Sequence, residues 1–363
     1  VLRGFFISIP TLRGIQKVNA MNRVFYRQGL MAFFLLTITL LMAGCSQADK
    51  VEELYFEGKT MGTTYHIKVY AESSKIAGID LHPEIKQVLK DVNQSMSTYI
   101  PDSEINQFNQ LPAGQVMPIS ADFRNVVAES IRLGESTKTL DVTMGPLIDL
   151  WGFGPDKKPT KRPSDEALAA MVAKIGVDKL ELTDAGLMKT IDGLELSFSA
   201  TAKGYGIDKV AEVIESHGLT NYMVEIGGEL RVSGIKPDNI TWKIAIEQPD
   251  AEPGVRKVHK VIEPGTNGIA TSGDYRIFYE MDGVTYSHLI DPVTGMPSRH
   301  DLVSVTVLHP SAMTADGLAT ALTVMGMERA QKYAEEHALP VYLIGKSDNG
   351  LVTYSSPAFK PYL

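Results

Sequence analysis

The stretch from Glu263 to Met327 constrains the fold most, because within it the apolar pattern passes from the period of a strand to that of a helix. Arg276 to Met281 and Val284 to Ile290 are rich in aromatic and β-branched residues. Asp282-Gly283 between them supplies two positive-φ positions, so the pair reads as a hairpin from whose end His288 and Asp291 emerge. A further strand-like run, Val303 to Leu308, follows. Beyond it Ala315, Leu318, Ala319, Leu322 and Met325 are spaced to bury one helix face. Asp316 and Thr320, four apart, point the same way from adjacent turns. Two readings stand for that pair. A carboxylate and a hydroxyl beside a Gly-rich loop can hold a hard cation that shares its shell with phosphate and water; equally, Asp and Thr cap and pack first helical turns.

Similar patterns recur along the chain. Tyr65 to Tyr70, Leu187 to Ile191, Tyr222 to Ile226, Trp242 to Glu247 and Val341 to Ile344 read as strands. Pro83 to Ser97, Ser120 to Leu133 (stopped by Gly134) and Ser164 to Ile175 read as helices. A further helix carries Ile207, Val210, Ala211 and Ile214 and ends at His217-Gly218. Without a regular βαβ beat, this mixture predicts an α+β fold with mixed, largely antiparallel sheets flanked by helices. Trp151 to Arg162, rich in Gly, Pro and Lys, is the expected lid or flexible loop.

At 363 residues, 44% apolar and 21% charged, the chain is long enough for a large core. A net charge of −8 offers no basic surface for nucleic acid. Near the start, Arg23 and Arg27 precede an apolar run from Leu30 to Ala43 that is too short to span a bilayer. Residues 1–44 therefore read as a signal-peptide region, with Met21 the expected native start. Leu41-Met42-Ala43-Gly44-Cys45 resembles a bacterial lipobox, which implies cleavage before Cys45 and a lipid on its thiol; the alternative is an ordinary buried Cys. Cys45 is the only cysteine, so no intrachain disulfide forms, as suits an exported protein. Ser46 to Glu57 is read as a polar tether, leaving 58–363 as the working domain.

In Ser199 to Asp208, SATAKGYGID, small residues at a helix start let backbone N–H groups approach a phosphate, and Lys203 adds positive charge. The spacing is neither a Walker A nor a GxGxxG. His288 has the chemistry of a general base, or of a structural His at a strand end. Asp291 and Thr294 are expected to shape the DPVTG turn. Gly227-Gly228, after a strand, permits a close backbone approach or makes a plain turn.

The motifs TMGTTY, STYIPDSEINQFN, LDVTMGPLIDLWGFG, FSATAKGYGID, YMVEIGGELRVSG, TSGDYR, YSHLIDPVTG, SVTV and ADGLATAL occur in that order. Together they resemble the FAD:protein FMN transferase (ApbE) family from about Gly58 to the C-terminus. The resemblance implies a magnesium-dependent enzyme that moves FMN from FAD to a Thr or Ser hydroxyl of an acceptor protein and releases AMP. It implies magnesium ligands at Asp316, Thr320 and the carbonyl of Ala200, and FAD contacts at Met61, Tyr99, Thr139, Leu140, Asp141, Lys203 and Ile290. Catalytic roles fall on His288 and Asp316. At Ser197 the family commonly has Asp; a Ser still hydrogen-bonds there but brings no charge. Implied acceptors are flavin-carrying subunits of membrane NADH:quinone reductase or related electron-transfer complexes, met by an enzyme anchored through its lipid and facing the periplasm. Ser46 after the lipidated Cys points to the outer membrane and such acceptors to the inner, so the membrane stays open. Two rivals remain, an FAD pyrophosphatase giving FMN and AMP and a non-catalytic flavin-binding lipoprotein.

Overall fold

The computed structural model describes residue 31 and residues 49–154, 161–249, 257–273 and 278–363. Cys45, the signal-like run apart from Met31, and half of the expected lid loop, residues 155–160, lie outside the described residues. Val51–Leu363 forms one compact unit. Among the described residues no helix is long and apolar enough to cross a membrane.

The strands, in chain order, are β1 Val51–Thr60, β2 Thr63–Glu72, β3 Leu180–Thr183, β4 Gly186–Lys189, β5 Asn221–Ile226, β6 Glu229–Ser233 and β7 Ile244–Glu247. They continue with β8 Val258–Ile262, β9 Asn267–Gly273, β10 Phe278–Met281, β11 Val284–Ser287, β12 Leu302–His309, β13 Val341–Ser347 and β14 Gly350–Ser355. The helices are α1 Ser73–Ile76, α2 Leu81–Met96, α3 Glu104–Asn109, α4 Ala121–Thr137, α5 Gly145–Leu150, α6 Asp165–Val172, α7 Ala202–Ser216, α8 Ala312–Met325 and α9 Met327–Glu336.

Eight strands make one sheet in the order β1-β2-β5-β6-β9-β12-β13-β14, and every neighbouring pair is antiparallel. The expected α+β class is therefore the observed one. Alternation assigns the faces. Tyr65, Ile67 and Val69 of β2 join Ile207, Val210 and Ile214 of α7 and Leu81, Ile85 and Leu89 of α2 on one side. On the other, Val232, Ile269, Val303 and Ile344 pack with Trp242, Ile246 and Phe359. Strand β12, central and covered on both faces, is buried along almost its whole length.

Three of the boundaries that differ from expectation bear on packing or on the site. Val51 to Glu57 is part of β1, not a tether: it pairs in register with β2, and Leu54 and Phe56, alternating with exposed Glu53, Tyr55 and Glu57, pack on the core. Helix α4 continues past Gly134 to Thr137, and Lys138 takes the left-handed conformation instead (φ 59°). A Cβ at Gly134 would lie 2.9 Å from the Leu140 carbonyl oxygen, so that glycine serves close packing. The second hairpin strand stops at Ser287, whose Oγ accepts the Leu289 N–H at 3.2 Å and turns the chain. Its partner begins at Phe278, and residues 274–277 lie outside the described set.

Candidate active site

Helices α7 and α8 cross where the site begins. The Gly204 N–H donates to Asp316 Oδ2 at 3.1 Å. Lys203 Nζ lies 2.8 Å from Glu229 Oε1 and 3.7 Å from Asp316 Oδ1. Asp316 is 5% exposed. Burial pushes its carboxyl up to about 7; the Lys203 charge opposes that shift and the Glu229 charge reinforces it. Asp316 does not cap α8, because Ser311 does so by accepting the Thr314 N–H at 3.2 Å. The first-turn reading of Asp316 and Thr320 is thereby corrected: both sit beyond the first turn.

The start of α8 is held from α7. Asp208 accepts from the Ser311 hydroxyl at 2.7 Å and from the backbone N–H groups of Ala312 and Met313, each at 3.0 Å. A carboxylate there complements the positive end of the helix dipole. Arg231 on β6 pairs with Asp208 at 2.9 Å, so sheet, α7 and α8 meet at one ionic node.

One turn beyond Asp316, Thr320 lines a cavity of about 90 Å³. Ala200, Ser197 and His288 line it too, as do Thr139, Leu140, Asp141 and Ile290. The cavity thus gathers eight of the expected residues, drawn from the loops before α5 and α7, from α8 and from the end of the hairpin. A second small cavity shares Ile148 and Ser197 with it and reaches Thr98, next to Tyr99. Tyr99 itself is 67% exposed, and Met61 occupies the β1–β2 turn at φ 49°. Neither lines the Thr320 cavity, and neither do Lys203 and Asp316, which stand on its α7–α8 side.

Internal bonds determine what these groups offer. The Thr139 hydroxyl is committed to the Ala321 carbonyl at 2.9 Å. Asp141 accepts from the backbone N–H and the hydroxyl of Thr143, at 2.8 and 2.6 Å, yet burial outweighs those bonds and raises its carboxyl above the usual range. The Phe153 ring meets the His288 ring edge-on at 6.4 Å. Below His288 the DPVTG turn is shaped as expected: Asp291 Oδ1 accepts the Val293 N–H at 2.8 Å and Thr294 Oγ1 the Met296 N–H at 3.3 Å. Trp151 Nε1 pins the same turn by donating to the Gly295 carbonyl at 2.8 Å.

A divalent cation fits this donor set in one way. Among the described residues no group of three or more His, Cys, Asp or Glu side chains makes a cage. Asp316, Thr320 and the Ala200 carbonyl offer hard oxygen donors but too few to fill an octahedron, which suits an ion completed by phosphate and water. Sequence reasoning missed Glu229 and Asp208. The signal for Glu229 was a charged residue directly after Gly227-Gly228, where a strand reaches the α7 loop.

A model of the ApbE family matches residues 61–343. The chain belongs to the ApbE family. An FAD:protein FMN transferase from Vibrio cholerae is 48% identical over 325 residues, covering 89% of this chain and 96% of that relative. One from Haemophilus influenzae is 48% identical over 330 residues, covering 89% and 94%. The solved flavin transferase ApbE of Vibrio cholerae superposes with a TM-score of 0.79 at 47% identity, covering 86% of this chain and all of that one. The Pseudomonas stutzeri flavinyl transferase ApbE in its apo form gives 0.79 at 38% identity, covering 86% and 96%. This ApbE-family chain is accordingly an enzyme, a transferase.

Proposed function

We propose that the enzyme transfers FMN from FAD to a Thr or Ser hydroxyl of an acceptor protein. The observation that carries this reading is the single cavity that brings His288 together with Ala200 and Thr320 and with the expected flavin-lining residues Thr139, Leu140, Asp141, Ser197 and Ile290. Transferase relatives across most of the chain support the flavin and the protein acceptor.

In the reaction the acceptor hydroxyl oxygen attacks the FMN phosphorus. The new P–O bond forms as the bond to the bridging oxygen breaks, and AMP departs with that oxygen. His288 takes the hydroxyl proton. Lys203 would face the diphosphate, and Asp316, Thr320 and the Ala200 carbonyl would hold Mg2+. When bound, that ion neutralises charge developing on the phosphate oxygens. Ser197 and Asp141 supply hydrogen-bonding edges to the flavin, and buried Ile290 and Leu140 give it apolar surface. Met61 and Tyr99 contact FAD from outside the cavity. We further propose that the domain works on the periplasmic side, tethered by a lipid on Cys45, and acts on flavin-carrying subunits of membrane electron-transfer complexes.

The test mixes the soluble domain with FAD, Mg2+ and an acceptor domain, and reads acceptor mass and free nucleotides together. A mass gain of one FMN with AMP release, lost on chelation and in His288→Gly, is the expected result. Free FMN and AMP over an unmodified acceptor would make the enzyme a pyrophosphatase, and intact FAD throughout would make it a binding protein.

A further inference from the structure

Glu229 is the first residue of β6, set directly after Gly227 and Gly228, which both have positive φ (63° and 107°). That turn fixes where the side chain starts and delivers it to the helix side of the sheet, where it is 5% exposed. One carboxylate oxygen meets the Lys203 ammonium at 2.8 Å; the other, Oε2, has no hydrogen-bond partner among the described residues. A buried carboxylate with an idle oxygen is costly to keep for stability alone.

Lys203 stands between two carboxylates and takes the closer contact with Glu229, leaving Asp316 Oδ1 at 3.7 Å. Asp316 Oδ2 is held by the Gly204 N–H, so Oδ1 is the oxygen over which an ammonium and a metal ion would compete. Both are cations, and in a buried site their mutual repulsion is weakly screened. With Glu229 and Asp316 both charged, Lys203 is neutralised where it stands and the trio carries one net negative charge. Without that charge the flexible Lys stem lets the ammonium close onto Asp316, and the trio becomes neutral.

We propose that Glu229 is a positioning residue that holds the Lys203 ammonium off Asp316 and so keeps that carboxylate open to a divalent cation. The inference rests on the metal reading of Asp316 given above. It assigns Glu229 no contact with FAD or with the reacting atoms.

The experiment titrates Mn2+ alone into the folded domain, without nucleotide, following bound ion by electron paramagnetic resonance against a protein-free blank. In Glu229→Gln the half-saturating Mn2+ should rise about tenfold, the factor that corresponds to ~1.4 kcal/mol in binding. Adding Lys203→Gln to that variant removes the competing ammonium and should restore half-saturation toward the wild-type value, a rescue that a merely structural role of Glu229 would not produce. Wild-type Mn2+ binding in Glu229→Gln, or a double variant as weak as the single, would overturn the inference. Should Glu229→Gln fail to fold, Glu229→Asp replaces it: the shorter carboxylate loosens the hold on Lys203 and raises half-saturation by a smaller factor, and an unchanged value would overturn the inference equally. Wild-type protein that binds no more Mn2+ than Asp316→Ala would remove the metal reading itself, and this inference with it.

Discussion

Gly204 and Asp316 meet across the α7–α8 crossing through a backbone N–H donated to a carboxylate oxygen at 3.1 Å, and residue 204 reaches that position only without a side chain. A Cβ there would lie 2.3 Å from the Ala312 carbonyl oxygen and 2.6 Å from the Met313 Cα. Both are backbone atoms of the segment whose helix carries Asp316 and Thr320, so neither can swing aside.

Gly204→Ala should therefore push α8 away from α7. Overpacking of this kind costs about 1–3 kcal/mol. A lower urea midpoint together with weaker FMN transfer is expected, since the displacement acts on the ligands of the proposed metal site. A variant with wild-type midpoint would show that the crossing relaxes without strain.

Asp316→Asn separates stability from function through its pH dependence. The Asp316 carboxyl is raised to about 7 by burial, against an ordinary value near 3.8, so the folded protein holds its proton more tightly than the unfolded chain. That contribution to stability is complete below the unfolded value and is lost as pH rises through about 7. Asparagine does not titrate. Without Mg2+, the stability of Asp316→Asn relative to wild type should therefore increase between pH 6 and pH 8.5, while FMN transfer is lost at every pH. Parallel denaturation curves at the two pH values would contradict the buried, proton-holding state of this carboxyl.

Asp208→Ala removes the acceptor of three bonds at the start of α8 and leaves Arg231, among the described carboxylates, its Glu215 contact at 3.2 Å. Loss of a helix cap typically costs about 0.5–2 kcal/mol. Asp208→Asn, which keeps one acceptor oxygen but not the charge, should fall between wild type and Ala. Urea denaturation of the three proteins gives the order directly.

The fold was legible where pattern and turn chemistry agreed. Asp282-Gly283 and the alternation in Tyr65 to Tyr70 named strands that the structure contains. The start of β1 was not legible, because on this edge strand Leu54 and Phe56 alternate with exposed Glu53, Tyr55 and Glu57 in a glutamate-rich stretch, and that composition also describes a solvated linker. In the site, the helix spacing of Asp316 and Thr320 was readable locally, but the meeting of Thr320 with Ala200 and His288 followed from the family resemblance alone. Glu229 was hidden for a different reason. Its importance arises from strand order, which lays β6 beside β5 and β9 and brings its first residue under α7, a juxtaposition no local window contains.

His309 supplies a pH dependence of the opposite sign, at the junction of β12 and α8. Its Nδ1 lies 3.1 Å from the Ser311 N–H, whose hydroxyl caps α8. Burial lowers the imidazole below its ordinary value; the Ser311 carbonyl, Glu129 and Asp208 pull it upward, and Arg132 pushes it down. The folded protein thus binds this proton less readily than the unfolded chain. The stability it contributes is present above the unfolded value near 6.5 and is lost as pH falls through the depressed folded value. Protonation also turns Nδ1 from an acceptor into a donor and removes the partner of the Ser311 N–H. His309→Asn keeps an acceptor within reach of that N–H but cannot titrate. The wild type should lose more stability than His309→Asn between pH 7.5 and pH 5, as read from urea midpoints. Equal losses in the two proteins would place the acid sensitivity elsewhere in the chain.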